Sequence, residues 1–242
     1  MTFNKIKLVI LALIIFTTGC IRKDDLTLPV KVHFKIGISS DNFLNIEYLA
    51  FTECQIGIQG IQFEGKREAG TDIFFETDSK MDLQTISFLQ PVSISTFDVP
   101  QGIYTYMKWD IIMKCIDTEG LIGDRNEYDP CIGIIISGIY KSLEGSEIPF
   151  IFAIDEPELF SVRSYDPDNN SKIVLSVRKE YEATVLFDPG KAFSTITRES
   201  LENAEPSGDG ENLVIIISSS KNQDLYEILL YRIFQSAKVV VK

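Results

Sequence analysis

From Pro29 the chain alternates. Val30, Val32, Phe34, Ile36 and Ile38 are separated by Lys31, His33, Lys35 and Gly37, the period-two pattern of a strand with one buried face. Cys54, Ile56 and Ile58 repeat it. The phase slips at Gly60 before Ile61 and Phe63 resume it, which predicts a β-bulge. Gly65 to Gly70 reads as a charged turn ahead of the short apolar run Ile73-Phe74-Phe75. A further strand is expected over Val92–Val99, then a turn at Pro100-Gln101-Gly102. Beyond it lies the clearest alternation in the chain. Ile103, Thr105, Met107, Trp109, Ile111, Met113 and Cys115 share one face, and Tyr104, Tyr106, Lys108, Asp110, Ile112 and Lys114 the other. The Trp109 face is expected to point inward, because a large indole stabilises most when buried.

After an acidic loop, Cys131–Tyr140 reads as a nearly continuous apolar strand. Leu143–Ser146 then turns it into Ile148–Ile154 as a hairpin. Strands are also expected around Lys172–Val177, Glu182–Phe187 and Leu213–Ile217, with Val239–Val241 closing the chain. Helical spacing first appears after Pro189-Gly190, at Phe193, Ile196, Leu201 and Ala204. Breakers fill 205–210, and a second helix is expected over Gln223–Ser236 with Asn222 as its N-cap. Its stripe is Leu225, Ile228, Leu229, Arg232 and Ile233. Together these predict an all-β fold: a mainly antiparallel two-sheet β-sandwich, Ig-like or transthyretin-like, with one or two C-terminal helices. Residues 29–242 are read as a single domain.

A hydrophobic content of 45% excludes a disordered chain. The net charge of −12 speaks against nucleic-acid binding, which needs Lys and Arg on phosphates, and against a polybasic membrane patch. The amino terminus adds an address. Lys5 and Lys7 precede an unbroken apolar run of nine residues, Leu8–Phe16, too short to span a bilayer, which takes about 20 apolar residues. The ending Thr17-Thr18-Gly19-Cys20 resembles the lipobox of bacterial lipoproteins, with Thr17 where Leu is usual. That resemblance implies removal of residues 1–19 as a signal peptide, lipidation of Cys20, and a lipid-anchored tether over 20–28. Lys23-Asp24-Asp25 resembles the surface-export tract of some Gram-negative lipoproteins. It implies display on the outer face of the outer membrane; a periplasm-facing tether is the alternative.

Candidate chemistry is sparse. His33 is the only histidine and sits on the polar side of its strand, and no nucleophile elbow, zinc-protease, P-loop or dinucleotide motif is present. No enzyme activity and no cofactor are expected. Asp166, Asp168 and Asn170 place oxygens at alternate positions like the start of a calcium loop, but Ser171 and Val177 replace its glycine and glutamate. A self-bonded turn is the other reading. Once Cys20 is lipidated, Cys54, Cys115 and Cys131 remain, and Cys115 and Cys131 bracket a loop that a disulfide could close. Buried free thiols are the alternative. Tyr104 and Tyr106, on the outward face, suit stacking on sugar rings or a cross-strand aromatic patch.

The chain resembles the uncharacterised β-sandwich lipoproteins of Gram-negative envelopes. The stretches that carry the resemblance are GCIRKDDLTLPVKVHFKIGI, ISTFDVPQGIYTYMKWDI and LYEILLYRIFQSAKVVVK. It implies an architecture and an envelope address, with no activity to carry over. The expected function is a non-enzymatic, membrane-anchored binding or structural module. Its partners would be the membrane, through the N-terminal lipid, and an unidentified protein or glycan. A fimbrial subunit and a glycan-binding lipoprotein are the alternatives.

Overall fold

A computed structural model describes residues 26–39, 46–77, 84–86, 90–116, 132–155, 159–208 and 213–242. Residues 1–19 (expected as a signal peptide), Cys20, the Lys23-Asp24-Asp25 tract, the acidic loop and Cys131 lie outside the described residues. The strands are β1 (Pro29–Ile38), β2 (Leu49–Ile56), β3 (Ile58–Arg67), β4 (Ile73–Glu76), β5 (Gln84–Ile86), β6 (Val92–Pro100), β7 (Gly102–Met113) and β8 (Ile134–Lys141). They continue with β9 (Glu147–Ile154), β10 (Leu159–Tyr165), β11 (Ile173–Leu175), β12 (Tyr181–Phe187), β13 (Pro206–Ser207), β14 (Val214–Ile217) and β15 (Lys238–Val241). Helices α1 (Pro189–Phe193), α2 (Arg198–Glu202) and α3 (Gln223–Ser236) all fall in the last quarter.

The strands form two sheets. One has nine strands in the order β4-β3-β7-β10-β15-β12-β1-β6, with β11 beside β7; the other runs β13-β14-β9-β8-β2-β5. Most pairings are antiparallel, as expected, but β1–β12, β10–β15 and β9–β14 are parallel. The buried faces of both sheets merge in one core. Phe75 of β4 meets Phe97 of β6 at 5.4 Å although these strands end the sheet order, so the nine-stranded sheet curls until its two edges approach. Trp109 sits inside the curl, 4.8 Å from Phe34, 4.6 Å from Phe63 and 5.5 Å from Phe97. Its indole N–H donates to Ser164 Oγ at 3.0 Å, which satisfies the one polar atom the ring brings inside.

The alternation of β1 holds along its length, with Val30, Val32, Phe34, Ile36 and Ile38 all buried. The expected bulge near Gly60 is present: Ile58 pairs Met113 and Gly60 pairs Ile112, leaving Gln59 extra. The stretch read as one strand across Cys54–Phe63 is two, because the chain leaves one sheet and enters the other at Gly57. There the backbone bridges Lys114 and Gly133, and a Cβ would lie 2.1 Å from the Lys114 carbonyl oxygen. Only glycine permits that approach. The supposed turn at Gly65–Gly70 begins later, since β3 runs to Arg67. Strands β5, β10 and β13 are too short or too polar to announce themselves and were not expected.

Two corrections concern the helices. The helix expected after Pro189-Gly190 is two, α1 and α2, each with its own cap. Lys191 N–H donates to Asp188 Oδ1, and Ser200 N–H donates to Thr197 Oγ1. Asn222 precedes α3 as expected but does not cap it with its side chain; it sits in the left-handed region at φ 51°. Its amide instead donates to the carbonyls of Glu205 and Ile216 and accepts from Glu205 N–H. The buried stripe of α3 is Tyr226, Leu229 and Ile233, while Ile228 and Arg232 face solvent.

Candidate functional site

The most consequential correction lies on β7. Tyr104 was expected on the outward face, yet it is fully buried on the same side as Met107, Trp109, Ile111 and Met113. The register explains the change of phase. Lys66 pairs Tyr106 and Arg67 pairs Tyr104, so Thr105 is an extra residue, a bulge that turns Tyr104 inward and leaves Ile103 and Thr105 exposed. Gly65 across the ladder makes the room, because a Cβ there would lie 2.6 Å from the Tyr104 ring. The Tyr104 hydroxyl donates to Pro100 O at 2.6 Å, and burial pushes its pKa up to about 12. Tyr106 does face outward, but Lys66 and Arg163 cover its ring at 5.3 and 4.9 Å. The two tyrosines therefore do not form a shared ligand-facing platform.

The calcium candidates form a turn. Both Asp166 oxygens accept from Asn170, Oδ1 from its backbone N–H at 2.7 Å and Oδ2 from its amide at 3.0 Å. These bonds hold the Asp166 carboxyl below its ordinary range, and Asn169 takes the left-handed conformation the turn requires. Asp168 makes no bridge to Asp166 or Asn170 through its side chain. Among the cysteines, Cys115 is disulfide-bonded to a residue outside the described set, whereas Cys54 is a buried free thiol whose pKa is pushed up to about 12, chiefly by burial.

His33 has acquired partners the sequence could not place. Its Nδ1 lies 2.9 Å from Thr96 Oγ1 and its Nε2 lies 3.1 Å from Glu180 Oε2. Hydroxyl, imidazole and carboxylate are the parts of a nucleophilic triad. Here they lie on the outer face of the sheet, and none of them lines the three clefts described below. The trio instead ties β6, β1 and the turn before β12 together. It is flanked by the ion pairs Lys31–Asp98 at 2.8 Å and Lys35–Glu182 at 2.5 Å.

The feature that collects function-bearing residues is one end of the curled sheet, here called the base. Pairing directions bring to it the start of β1, the β6–β7 turn, the β3–β4 turn, the turn after β11, and the end of β15. Arg67 holds three of these together. Its guanidinium donates to Leu26 O at 2.6 Å, Gln101 O at 3.2 Å and Thr71 O at 2.8 Å. The chain arriving from Cys20 is thus fixed at the base by Leu26. Sequence reading missed Arg67, because nothing local distinguishes an arginine in a charged turn from one that reaches across three segments. A cleft of about 260 Å³ opens here, lined among others by Lys172, Lys179, Lys242, Val174 and Tyr181.

Two other clefts, of about 410 and 480 Å³, flank Asn222. Their polar groups are largely committed to the fold: the Asn222 amide is fully bonded and Lys221 donates to Ser207 Oγ at 2.9 Å. Architecture makes the protein a two-sheet β-sandwich closed by helices. No family model, curated protein or solved structure matches the chain. No helix among the described residues is long and apolar enough to cross a membrane.

Proposed function

We propose that the protein is a lipid-anchored envelope lipoprotein, displayed on the cell surface, whose sandwich serves as a non-enzymatic binding or structural module. The reading rests on one observation above the rest. The segment ending in Gly19-Cys20 has the composition of a lipoprotein leader, and the described chain begins at Leu26, whose carbonyl Arg67 holds. A lipid on Cys20 supplies about 0.8 kcal/mol per buried methylene, enough with several chains for stable anchorage. The fimbrial alternative needs a detachable donor strand. The last strand, β15, is a poor candidate, being paired on both sides by β10 and β12. The glycan alternative loses its aromatic pair with Tyr104 inside the core.

Replacing Cys20 with Ala tests the anchor. Metabolic labelling with a fatty acid should disappear and the protein should leave the membrane fraction; a variant that still incorporates lipid would overturn the proposal. Replacing Lys23, Asp24 and Asp25 together with Ala tests display. Protease accessibility on intact cells should fall, and unchanged accessibility would remove the export tract from the account.

A further inference from the structure

The base carries a composition unlike the rest of the outer surface. Four of the exposed large apolar side chains of the described chain gather there: Leu28, Ile103, Val174 and Val177. Ile103 and Val174 are direct cross-strand partners, so their side chains form one outward patch. Around it stand Lys172, Arg178, Lys179 and Lys242, all exposed, with the exposed acids Glu68, Asp168 and Glu180 in the same turns; Glu68 is taken by Lys172 and Glu180 by His33. Arg178, Lys179 and Lys242 make no ion pair with a described residue, while Lys172 pairs with Glu68 at 2.6 Å. Lys179 lies 4.4 Å over the Tyr181 ring, at the wall of the basal cleft. Asp166 also lines that cleft, but both its oxygens are turned to Asn170.

Apolar side chains ringed by long cationic ones are the composition of a surface that rests at a lipid–water interface. The apolar groups enter the headgroup boundary while lysine stems lie along it and their ammonium groups meet anionic oxygens. The tether sets the distance. Six residue steps separate Cys20 from Leu26, which at full extension reach about 20 Å, so a lipid on Cys20 holds the base close to the bilayer. The net charge of the chain speaks against a polybasic patch, and this one is not polybasic. It is a small mixed surface: Lys172, Val174, Val177, Arg178 and Lys179 come from one stretch, and the strands bring Leu28, Ile103 and Lys242 beside it.

We infer that the base is a membrane-contacting surface: Leu28, Ile103, Val174 and Val177 enter the headgroup layer, and Lys172, Lys179 and Lys242 hold a headgroup phosphate at the basal cleft. The inference rests on the proposed lipid anchorage and adds an orientation to it, base down and helices away. It is tested with the full lipidated chain in vesicles of phosphatidylcholine and phosphatidylglycerol carrying a nitroxide-labelled lipid. Single cysteines for a polarity-sensitive dye are introduced at Val177→Cys in the base and at Leu143→Cys in the exposed β8–β9 hairpin. Cys54 is buried and does not compete for label.

Among chains that co-float with vesicles, the dye at 177 should be quenched several-fold more than the dye at 143. Replacing Lys172, Lys179 and Lys242 with Glu should bring it down toward the level at 143 without releasing the chain. Equal quenching at the two positions in co-floating chains would overturn the basal contact and leave the anchorage standing. Failure to co-float at all would overturn the anchorage and the contact with it.

Discussion

The single core of the molecule has two regions that are closed by different means. Inside the curled nine-stranded sheet, strands surround the indole, and Phe234 of α3 covers Phe160 of β10 at 4.9 Å. Phe34, Phe63, Phe75 and Phe97 surround Trp109, and the only side-chain hydrogen bond of the indole is the one to Ser164. The six-stranded sheet cannot curl over itself in this way, and helices complete it. Phe193 of α1 inserts against Phe51, Phe150 and Phe152 at 5.1, 5.5 and 5.8 Å. Around that plug the helices are pinned by polar bonds to the sheet. The Tyr48 hydroxyl donates to Ile196 O, the Tyr140 hydroxyl to Glu202, and the Tyr226 hydroxyl to Asp155. The Arg198 guanidinium donates to the carbonyls of Lys141 and Ser142. A curved sheet buries its apolar face by its own shape, whereas a helical lid is positioned by individual side chains. Both regions should fail through lost volume, and the helical lid through lost hydrogen bonds as well.

The largest effects should come from volume. Trp109→Ala and Phe193→Ala should each cost about 3–5 kcal/mol in denaturant unfolding, the usual range for a buried aromatic truncated to alanine. Tyr104→Ala should belong with them, and Tyr106→Ala should cost clearly less, because only Tyr104 is inside. The reverse order would mean that the bulge at Thr105 is misplaced. Hydroxyl removal separates the regions next. Tyr140→Phe takes a donor from the Glu202 carboxylate and should lower stability more than Tyr104→Phe does. Tyr104→Phe removes only a bond to a backbone carbonyl and should cost about 0.5–1.5 kcal/mol. Equal losses for the two would erase the distinction between the regions.

Titration gives a smaller, signed test. Burial, reinforced by Glu202, pushes the Tyr140 hydroxyl from its ordinary 10.0 up to about 12, and burial does the same to Tyr104. A raised pKa on an acid means that the folded state favours the neutral form. Its contribution is whole below the ordinary tyrosine value and is lost as pH rises from 10.0 toward 12. Unfolding free energy should therefore fall over that window, and each Tyr→Phe change should flatten part of the fall. Glu202 has the opposite sense: bonds from Leu143 N–H and the Tyr140 hydroxyl hold its pKa down. Its contribution is present above the ordinary carboxylate range and lost as pH falls through the lowered value, so Glu202→Gln should flatten the acid limb. The smallest effect is expected at the exposed His33 trio, where His33→Ala should cost less than about 1 kcal/mol at neutral pH.

How far the sequence could be read follows the same division. In β1 and β12 one face is buried and the chain alternates, so the pattern names both the strand and its inner side, whereas the continuous apolar runs of β8 and β9 name the strands but no side. On β7 the rule worked from Met107 to Met113 and failed at Tyr104, since the bulge at Thr105 adds one residue with no glycine or proline at the bulge itself to mark it. The placement of β15 between β10, to which it is parallel, and β12, to which it is antiparallel, was invisible, because a run of three valines fits any strand position. Asn222 was read as a cap from its type, yet its bonds go to Glu205 and Ile216, partners set by tertiary structure alone. The basal surface has the same character: Arg67, Val174, Val177 and Lys242 are unremarkable one by one and acquire meaning only when the strands bring them to one end.

The account stands on the proposed anchor, and the mass of the mature protein tests it most directly. The intact chain purified from envelopes should begin at Cys20, lack residues 1–19, and exceed its polypeptide mass by that of a diacylglyceryl-modified, acylated cysteine. A mature chain that begins at another residue, or one that begins at Cys20 with no added mass, would contradict it.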